Sequence, residues 1–155
     1  MSIDKKTTTR PHSILDDLIN LARTASKIKN TFFDLTEHGI FSLIDDFFKT
    51  TPYEPKSLEE TAKIYSDACD TIIKNAVTNE QLTYVSGYFK MTVVNGSQFN
   101  CTAELYFKNK NDKWILKTAT SESFDYSKLQ PAASQRLQAE KTIKFEVTAP
   151  SMDGL

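Results

Sequence analysis

The chain has 155 residues, of which 39% are hydrophobic and 25% are charged, and its formal net charge is −1. This length fits one domain, and the composition is typical of a globular protein rather than a disordered one. The small net charge argues against a general electrostatic attraction to nucleic acid or to an anionic membrane. The four glycines are spread along the chain, which disfavours a phosphate-binding loop.

The first part of the chain predicts a tail followed by a long helix. Residues 1–12 are polar and are predicted to be a flexible tail. Over residues 13–37, apolar residues recur at steps of three and four, as they do on one face of a helix. Gly39 is predicted to end this helix. His38 is therefore interpreted as a capping residue at a helix C-terminus rather than as a catalytic base.

A second helical segment is predicted over residues 40–48, six of which are apolar. This apolar stripe is wider than a one-sided contact requires. Either the segment is buried on two sides, or part of it meets another chain. In the second case Phe41, Phe47 and Phe48 are the candidate interface residues.

A third helix is predicted at 58–77, because Ser57 and Glu60 form a capping box in front of an apolar stripe. Cys69 lies on that stripe and Cys101 on a predicted strand. Two cysteines are too few for a disulfide framework, so both are predicted to be buried free thiols. No signal-like run and no stretch of about 18 apolar residues is present, which predicts a cytoplasmic protein without a membrane span.

Four antiparallel strands are predicted over residues 82–94, 98–108, 113–121 and 142–148, which alternate in polarity and are rich in Thr, Tyr, Phe and Val. Residues 131–140 predict a short helix before the last strand, whose place at either edge of the sheet is left open. The predicted fold is α+β, with N-terminal helices packed on one face of a curved antiparallel sheet of about four strands. Residues 13–149 form the single predicted domain, followed by a tail over residues 150–155.

Burial predicts the register of the two hairpins. A two-residue turn at Asn95-Gly96 would place Lys90 opposite Cys101 on the core side. A shift of one residue, through a longer loop or a bulge, makes every inward pair apolar and is therefore favoured. Its pairs are Val93 with Phe99, Met91 with Cys101, Phe89 with Ala103, Gly87 with Leu105, and Val85 with Phe107. In the next hairpin, a loop at 109–112 predicts Phe107 opposite Trp114 and Leu105 opposite Leu116.

The solvent-facing side of the predicted sheet carries one notable group of residues. It consists of Tyr84, Tyr88, Tyr106 and Lys90, together with Lys108, Lys113, Lys117 and Glu104. Tyr has a high strand propensity and Lys keeps sheets soluble, so ordinary solvated surface is the favoured interpretation. The alternatives are a stacking surface for single-stranded nucleic acid and a protein-binding face.

The order of the predicted elements resembles the NTF2-like and cystatin-like group of α+β folds. The resemblance rests on the helical segment 31–49, the helix after Ser57 and the strands over 82–121, which together cover most of the chain. It implies a half-open cone that holds a ligand, hosts an active site, or serves only in assembly and transport. An enzyme of this group would be expected to carry an Asp–His pair in the cone, and no predicted strand here contains His.

These patterns favour a non-catalytic protein-binding or assembly module, either a homodimer or a subunit of a larger complex. The alternative is a small-molecule-binding or enzymatic cone, which would require a polar cluster in the interior. A weaker alternative is single-stranded nucleic-acid binding by the Tyr/Lys sheet face. The sequence predicts no catalytic, cofactor-binding or metal-ligating residue.

Overall fold

The computed structural model describes residues 36–50 and 57–151, and these form helices packed against a five-stranded antiparallel sheet. The helices are α1 (Glu37–Thr50), α2 (Leu58–Asn79) and α3 (Pro131–Glu140), and the strands are β1 (Thr83–Asn95), β2 (Gln98–Lys108), β3 (Trp114–Thr120), β4 (Phe124–Asp125) and β5 (Thr142–Glu146). The predicted α+β class is confirmed. The predicted tail 1–12 and residues 13–35 of the helix predicted over 13–37 lie outside the described residues, as does most of the C-terminal tail.

Helix α1 begins earlier than the sequence predicts. The carbonyl of Thr36 accepts from the Ile40 backbone N–H at 2.9 Å, and the Thr36 hydroxyl accepts from the Gly39 N–H at 3.4 Å. Gly39 and His38 therefore lie in the first turn of α1, and the prediction that they end a preceding helix is wrong. The side chain of Thr36 supplies the N-terminal cap that a new helix needs.

The predicted capping box of α2 is confirmed. The Ser57 hydroxyl accepts from the Glu60 backbone N–H at 3.0 Å. The buried face of this helix carries the predicted apolar stripe, including Tyr65, Cys69 and Ile72. Helix α3 also forms as predicted, beginning at Pro131, where the missing N–H costs no hydrogen bond.

The strand order is β3-β2-β1-β5, and β4 pairs with the start of β2. The last strand therefore joins the β1 side of the sheet, a question that the sequence leaves open. Helices α1 and α2 pack on one face of this sheet, and the core lies between them. Its strand side chains come from the positions predicted to face inward, among them Phe89, Cys101 and Phe107.

The predicted register of the first hairpin is confirmed over its central part. Val93 pairs with Phe99, Met91 with Cys101, Phe89 with Ala103, and Gly87 with Leu105. The loop is Gly96-Ser97, and an irregularity between Val93 and Asn95 supplies the one-residue shift. The fifth predicted pair is wrong. A second bulge at Val85 leaves this residue unpaired and places Tyr84 opposite Phe107.

The predicted register of the second hairpin is wrong by one residue. Phe107 pairs with Ile115 and Leu105 with Lys117, so Trp114 and Leu116 point away from the core. A shift by one residue moves a whole strand to the opposite face of the sheet. The shift therefore exposes Trp114 and Leu116 on the outer face of the sheet.

Replacing Gly87 by Ala should destabilise the first hairpin. A Cβ at this position would lie 2.7 Å from the Glu104 carbonyl oxygen and 2.8 Å from the Tyr84 hydroxyl. Because the neighbouring strand cannot move without breaking its pairing, we expect a loss of about 1–3 kcal/mol in the free energy of unfolding, measured in urea. The exposed neighbour Ser86→Ala should change it by less than about 0.5 kcal/mol. Equal stability of the two variants would contradict the close approach at Gly87.

Cys69 and Cys101 should be unreactive in the folded protein. Both are buried free thiols, as predicted, and burial raises the pKa of Cys69 to about 12 and that of Cys101 well above its usual range. Because the thiolate is the reactive form, a chromogenic disulfide reagent should titrate neither residue until urea unfolds the chain, and then both. Fast titration under native conditions would show that the core opens locally.

An exposed apolar patch and a buried polar cluster

One face of the sheet carries no helix among the described residues, and exposed apolar side chains are concentrated there. Trp114 is 60% exposed, Leu116 is 50% exposed, and the bulged Val85 is 46% exposed. Leu116 is the cross-strand neighbour of Tyr106, whose partner on β1 is Ser86, next to Val85. We call Trp114, Leu116, Tyr106 and Val85 the outer-face patch.

The loop between β2 and β3 produces this exposure. It has five residues, 109–113, and the side-chain oxygen of Asn109 accepts from the backbone N–H groups of Asn111 and Lys113 at 2.9 and 3.0 Å. Asp112 adopts a left-handed conformation with φ of 62°. The loop is one residue longer than predicted, and this extra residue turns Trp114 outward.

Lys117 occupies the inward position that the prediction gave to an apolar residue. Its side chain is only 13% exposed, and its Nζ lies 3.0 Å from a Glu80 carboxylate oxygen and 3.7 Å from one of Glu37. These carboxylates come from the end of α2 and the start of α1. An inward charge is acceptable here because it is paired with both helices, and an inward lysine also protects an edge strand from pairing with another chain.

The middle of the outer face carries polar and charged side chains that hydrogen-bond to each other or lie over aromatic rings. Glu104 accepts a hydrogen bond from the Tyr106 hydroxyl at 3.0 Å, and hydrogen bonding from the Tyr88 hydroxyl lowers the pKa of Glu104. Lys144 lies over the Tyr88 ring at 4.4 Å, and Lys108 lies over the Trp114 ring at 4.8 Å. These contacts hold the rings in place beside mixed charges.

Three of the four candidate residues for the sheet face lie together on the outer face, and the fourth does not. Tyr88, Tyr106 and Lys90 lie on the outer face in adjacent register positions. The prediction that Tyr84 lies there is wrong, because the bulge at Val85 turns it toward the core, where its ring packs on Phe107 and its hydroxyl donates to the Val147 carbonyl at 2.6 Å.

The aromatic residues of α1 take different positions. Phe41 is buried in the core, with its ring centroid 5.4 Å from that of Tyr65. Phe47 and Phe48 are half-buried and contact each other, and Phe48 also packs edge-on against Phe124 of β4. These contacts account for part of the wide apolar stripe, and an interface at Phe47 and Phe48 stays a prediction.

A polar cluster that the sequence did not predict lies between α1, α2 and the end of β3. Asp45 is only 7% exposed, and its carboxylate accepts from the Glu122 backbone N–H at 3.2 Å. The buried hydroxyl of Ser121 accepts from the Cys101 N–H at 2.9 Å and donates to the Glu122 carbonyl. The Tyr65 hydroxyl lies near the Ser121 hydroxyl and the Asp45 carboxylate, but no hydrogen bond of normal geometry reaches it from the described residues. Since Asp45 sits beside Asp46 in the chain, its spacing alone gave no signal of burial.

Other features of the described residues give no further chemistry. They contain no group of three or more His, Cys, Asp and Glu side chains that could hold a metal ion. A shallow pocket of about 380 Å³ lies beside the first hairpin and is lined by Val93, Val94, Asn95, Gly96, Tyr126, Gln138 and Lys141. The Tyr126 hydroxyl already donates to the Gly96 carbonyl, and no member of the buried polar cluster reaches this pocket.

Comparisons with known proteins give this chain no relative. No protein-family model matches it, and neither the curated proteins nor the solved structures gave a match. None of the described helices is long and apolar enough to cross a bilayer.

Stability should depend on the protonation of Asp45. Burial raises the pKa of this carboxyl from 3.8 to about 6, with the Glu122 carboxylate adding to the rise and Lys49 and the Glu122 N–H opposing it. The folded protein therefore binds this proton more tightly than the unfolded chain does. The resulting stability is present below about pH 4 and is lost as the pH rises through about 6.

Asp45→Asn removes this proton equilibrium and keeps an oxygen to accept from Glu122. Between pH 4 and pH 7.5, the free energy of unfolding of the wild type, measured in urea, should fall relative to that of the variant by at most on the order of 2–3 kcal/mol. The exposed neighbour Asp46→Asn is the matched control and should follow the wild type. If the unfolding free energies of the wild type and Asp45→Asn changed in parallel with pH, burial would not raise the pKa of Asp45.

Proposed function

We propose that this protein is a non-catalytic protein-binding or assembly module that uses the outer-face patch as its contact surface. The observation that carries the proposal is the exposure of Trp114 and Leu116 side by side on a sheet face without a helix among the described residues. Contiguous exposed apolar surface marks interaction sites, and Trp and Tyr are enriched among residues that dominate binding energy. The order of the elements also supports our proposal that the fold belongs to the NTF2-like group.

The side chains of the patch could contribute substantially to association. Trp114 and Leu116 each keep at least half of their surface in water. Covering that remainder contributes on the order of 1–2 kcal/mol for each side chain. Trp114 is held under Lys108 and Tyr106 is bonded to Glu104, so these rings lose little freedom on binding.

Single-stranded nucleic acid is a weaker candidate for this face. Lys90, Lys108 and Lys144 would attract phosphates, but Glu104 lies between the tyrosines on which bases would stack. Glu146 is the register partner of Tyr88 and adds a second carboxylate. Such a mixture of charges favours a protein surface with its own charges over a uniformly anionic backbone.

A small-molecule or enzymatic cone is the second candidate function. The observation that favours it is the interior cluster of Asp45, Ser121 and the unsatisfied Tyr65 hydroxyl, because buried polar groups with a shifted pKa are concentrated at functional sites. The proposal ranks below protein binding, since Tyr65 is fully buried and Asp45 already bonds the backbone of Glu122.

We also propose a cytoplasmic location. The two buried cysteines support it, because free thiols are typical of proteins kept in a reducing compartment.

Site-specific photo-crosslinking in native cells should test the contact surface. A benzoyl-phenylalanine in place of Leu116 should give products heavier than the chain, because this position lies within the patch. The same probe in place of Lys63, which is exposed on α2, should give far less product. Equal products from both positions, or none from Leu116, would contradict a binding site on the outer face. Mass spectrometry of the product identifies the bound protein.

A further inference from the structure

We propose that Asn95 is a site of spontaneous deamidation, at which the side-chain amide is converted to a mixture of aspartate and isoaspartate. The site lies at the corner of the first hairpin, where Asn95 ends β1 and Gly96-Ser97 form the loop before β2. Asn95-Gly96 is the only Asn-Gly pair in the sequence. Water is the one co-reactant, so the conversion requires no enzyme.

The reaction is an intramolecular acyl transfer. The Gly96 backbone nitrogen attacks the side-chain carbonyl carbon of Asn95, the bond from that carbon to Nδ2 breaks, and ammonia leaves with the proton that the Gly96 nitrogen gives up. Water then opens the cyclic imide at either carbonyl. Opening at the side-chain carbonyl gives aspartate, and opening at the main-chain carbonyl gives isoaspartate, in which the chain continues through the side chain. No atom is oxidised or reduced.

The fold leaves both reacting groups accessible. Asn95, Gly96 and Ser97 are exposed, and a Cβ built at Gly96 would meet nothing within 4 Å. Among the described residues, the Gly96 nitrogen donates to no acceptor and the Asn95 amide makes no hydrogen bond. No hydrogen bond in this part of the chain therefore holds the nitrogen and the carbonyl carbon apart.

The backbone at this corner is irregular, which allows the nitrogen to approach. Gly96 has φ of 31°, whereas Ser97 does not have a positive φ, so the loop is not a type I′ turn, which requires positive φ at both central residues. An irregularity in the strand pairing lies directly before the loop, between Val93 and Asn95. Glycine gives the attacking nitrogen a wide range of backbone angles and has no Cβ to hinder it.

A positive charge lies beside the reacting groups. Asn95 and Gly96 line the shallow pocket of about 380 Å³ together with Gln138 and Lys141, and none of the described residues that line it is acidic. The attack produces a negative oxygen on the carbonyl carbon, and hydrolysis leaves a carboxylate. The Lys141 ammonium favours both, because a nearby cation stabilises developing negative charge.

The isoaspartate product should weaken the contacts by which this corner holds the segment after β4. The Tyr126 hydroxyl donates to the Gly96 carbonyl, and the Tyr126 N–H donates to the Ser97 carbonyl at 2.9 Å. An additional main-chain atom just before Gly96 displaces these two carbonyls. Phe124, two residues before Tyr126, packs on Phe48 of α1, so the displacement also reaches the helices.

Ageing of the purified protein in buffer tests the site. Trypsin releases residues 91–108 from the aged protein, and mass spectrometry with fragmentation measures the loss of the Asn95 amide. Asn95 should react within about 10-fold of its rate in a synthetic peptide of residues 91–98, because no bond must open first. Asn79, whose Nδ2 donates to Asn75 at 2.6 Å, is the internal control and should stay intact. A folded-state rate more than about 10-fold below that of the peptide, or equal rates at Asn95 and Asn79, would overturn the proposal.

Asn95→Gln is the matched variant, because it keeps the amide but lengthens the side chain, which disfavours ring closure. An isoaspartyl methyltransferase counts the product by transferring a methyl group from S-adenosylmethionine to the free main-chain carboxylate. Aged wild type should accept more methyl groups than Asn95→Gln aged in the same way. Equal methylation of the two proteins would contradict isoaspartate at Asn95.

Freshly purified Asn95→Asp separates the effect of the new charge from that of the longer chain, because it carries the carboxylate on an ordinary main chain. In hydrogen exchange, its Tyr126 amide should exchange at the wild-type rate. The isoaspartate form, separated by ion exchange, should exchange this amide about 5-fold faster, as expected for the loss of a hydrogen bond. Equal exchange in all three proteins would overturn the inferred effect on Tyr126.

Discussion

The ion pairs of the inward Lys117 with Glu80 and Glu37 are the interaction on which the exposure of the outer-face patch depends. With this ammonium paired to both helices, β3 keeps the register that the five-residue loop after β2 gives it. The register predicted from the sequence would instead bury Trp114 and Leu116 and leave no exposed apolar patch on β3. A partly buried ion pair of this kind adds little net stability, but breaking it leaves the Lys117 charge without a partner on the inner face, so it favours one register over the other.

Two bulges give the first hairpin its shape. The bulge at Val85 sends Tyr84 into the core, where its hydroxyl reaches the Val147 carbonyl after β5. It also leaves Val85 exposed near Tyr106, which extends the apolar surface across three strands. The close approach at Gly87 belongs to the same region, because a Cβ there would meet both the neighbouring strand and the Tyr84 hydroxyl. The local distortion therefore serves the core and the outer face together.

The two faces of the sheet carry different chemistry. The inner face joins the helices through apolar side chains and encloses the cluster at Asp45, whose pKa is raised to about 6 by burial. Two contacts of Glu122 join α1 to the segment after β3. Its backbone N–H donates to Asp45, and its carboxylate lies 2.7 Å from the Lys49 ammonium. The outer face combines an apolar patch with acidic and basic side chains on neighbouring register positions. This division supports our proposal of a module whose helices stabilise the fold and whose outer sheet face is the contact surface.

The sequence by itself determined the types of the described helices and of the four longer strands, the cap of α2, the buried thiols and the centre of the first hairpin, because each follows from local periodicity or from a face that must be apolar throughout; the two-residue strand β4 was not predicted. The second register, the turn of Tyr84 into the core and the start of α1 at Thr36 were decided by tertiary structure. The alternation of polarity predicted that Lys117 faces solvent. The structure places it inward, because the carboxylates of Glu80 and Glu37, which are distant in the chain, neutralise its charge. Asp45 was missed for the same reason, because its partner at Glu122 lies 77 residues away.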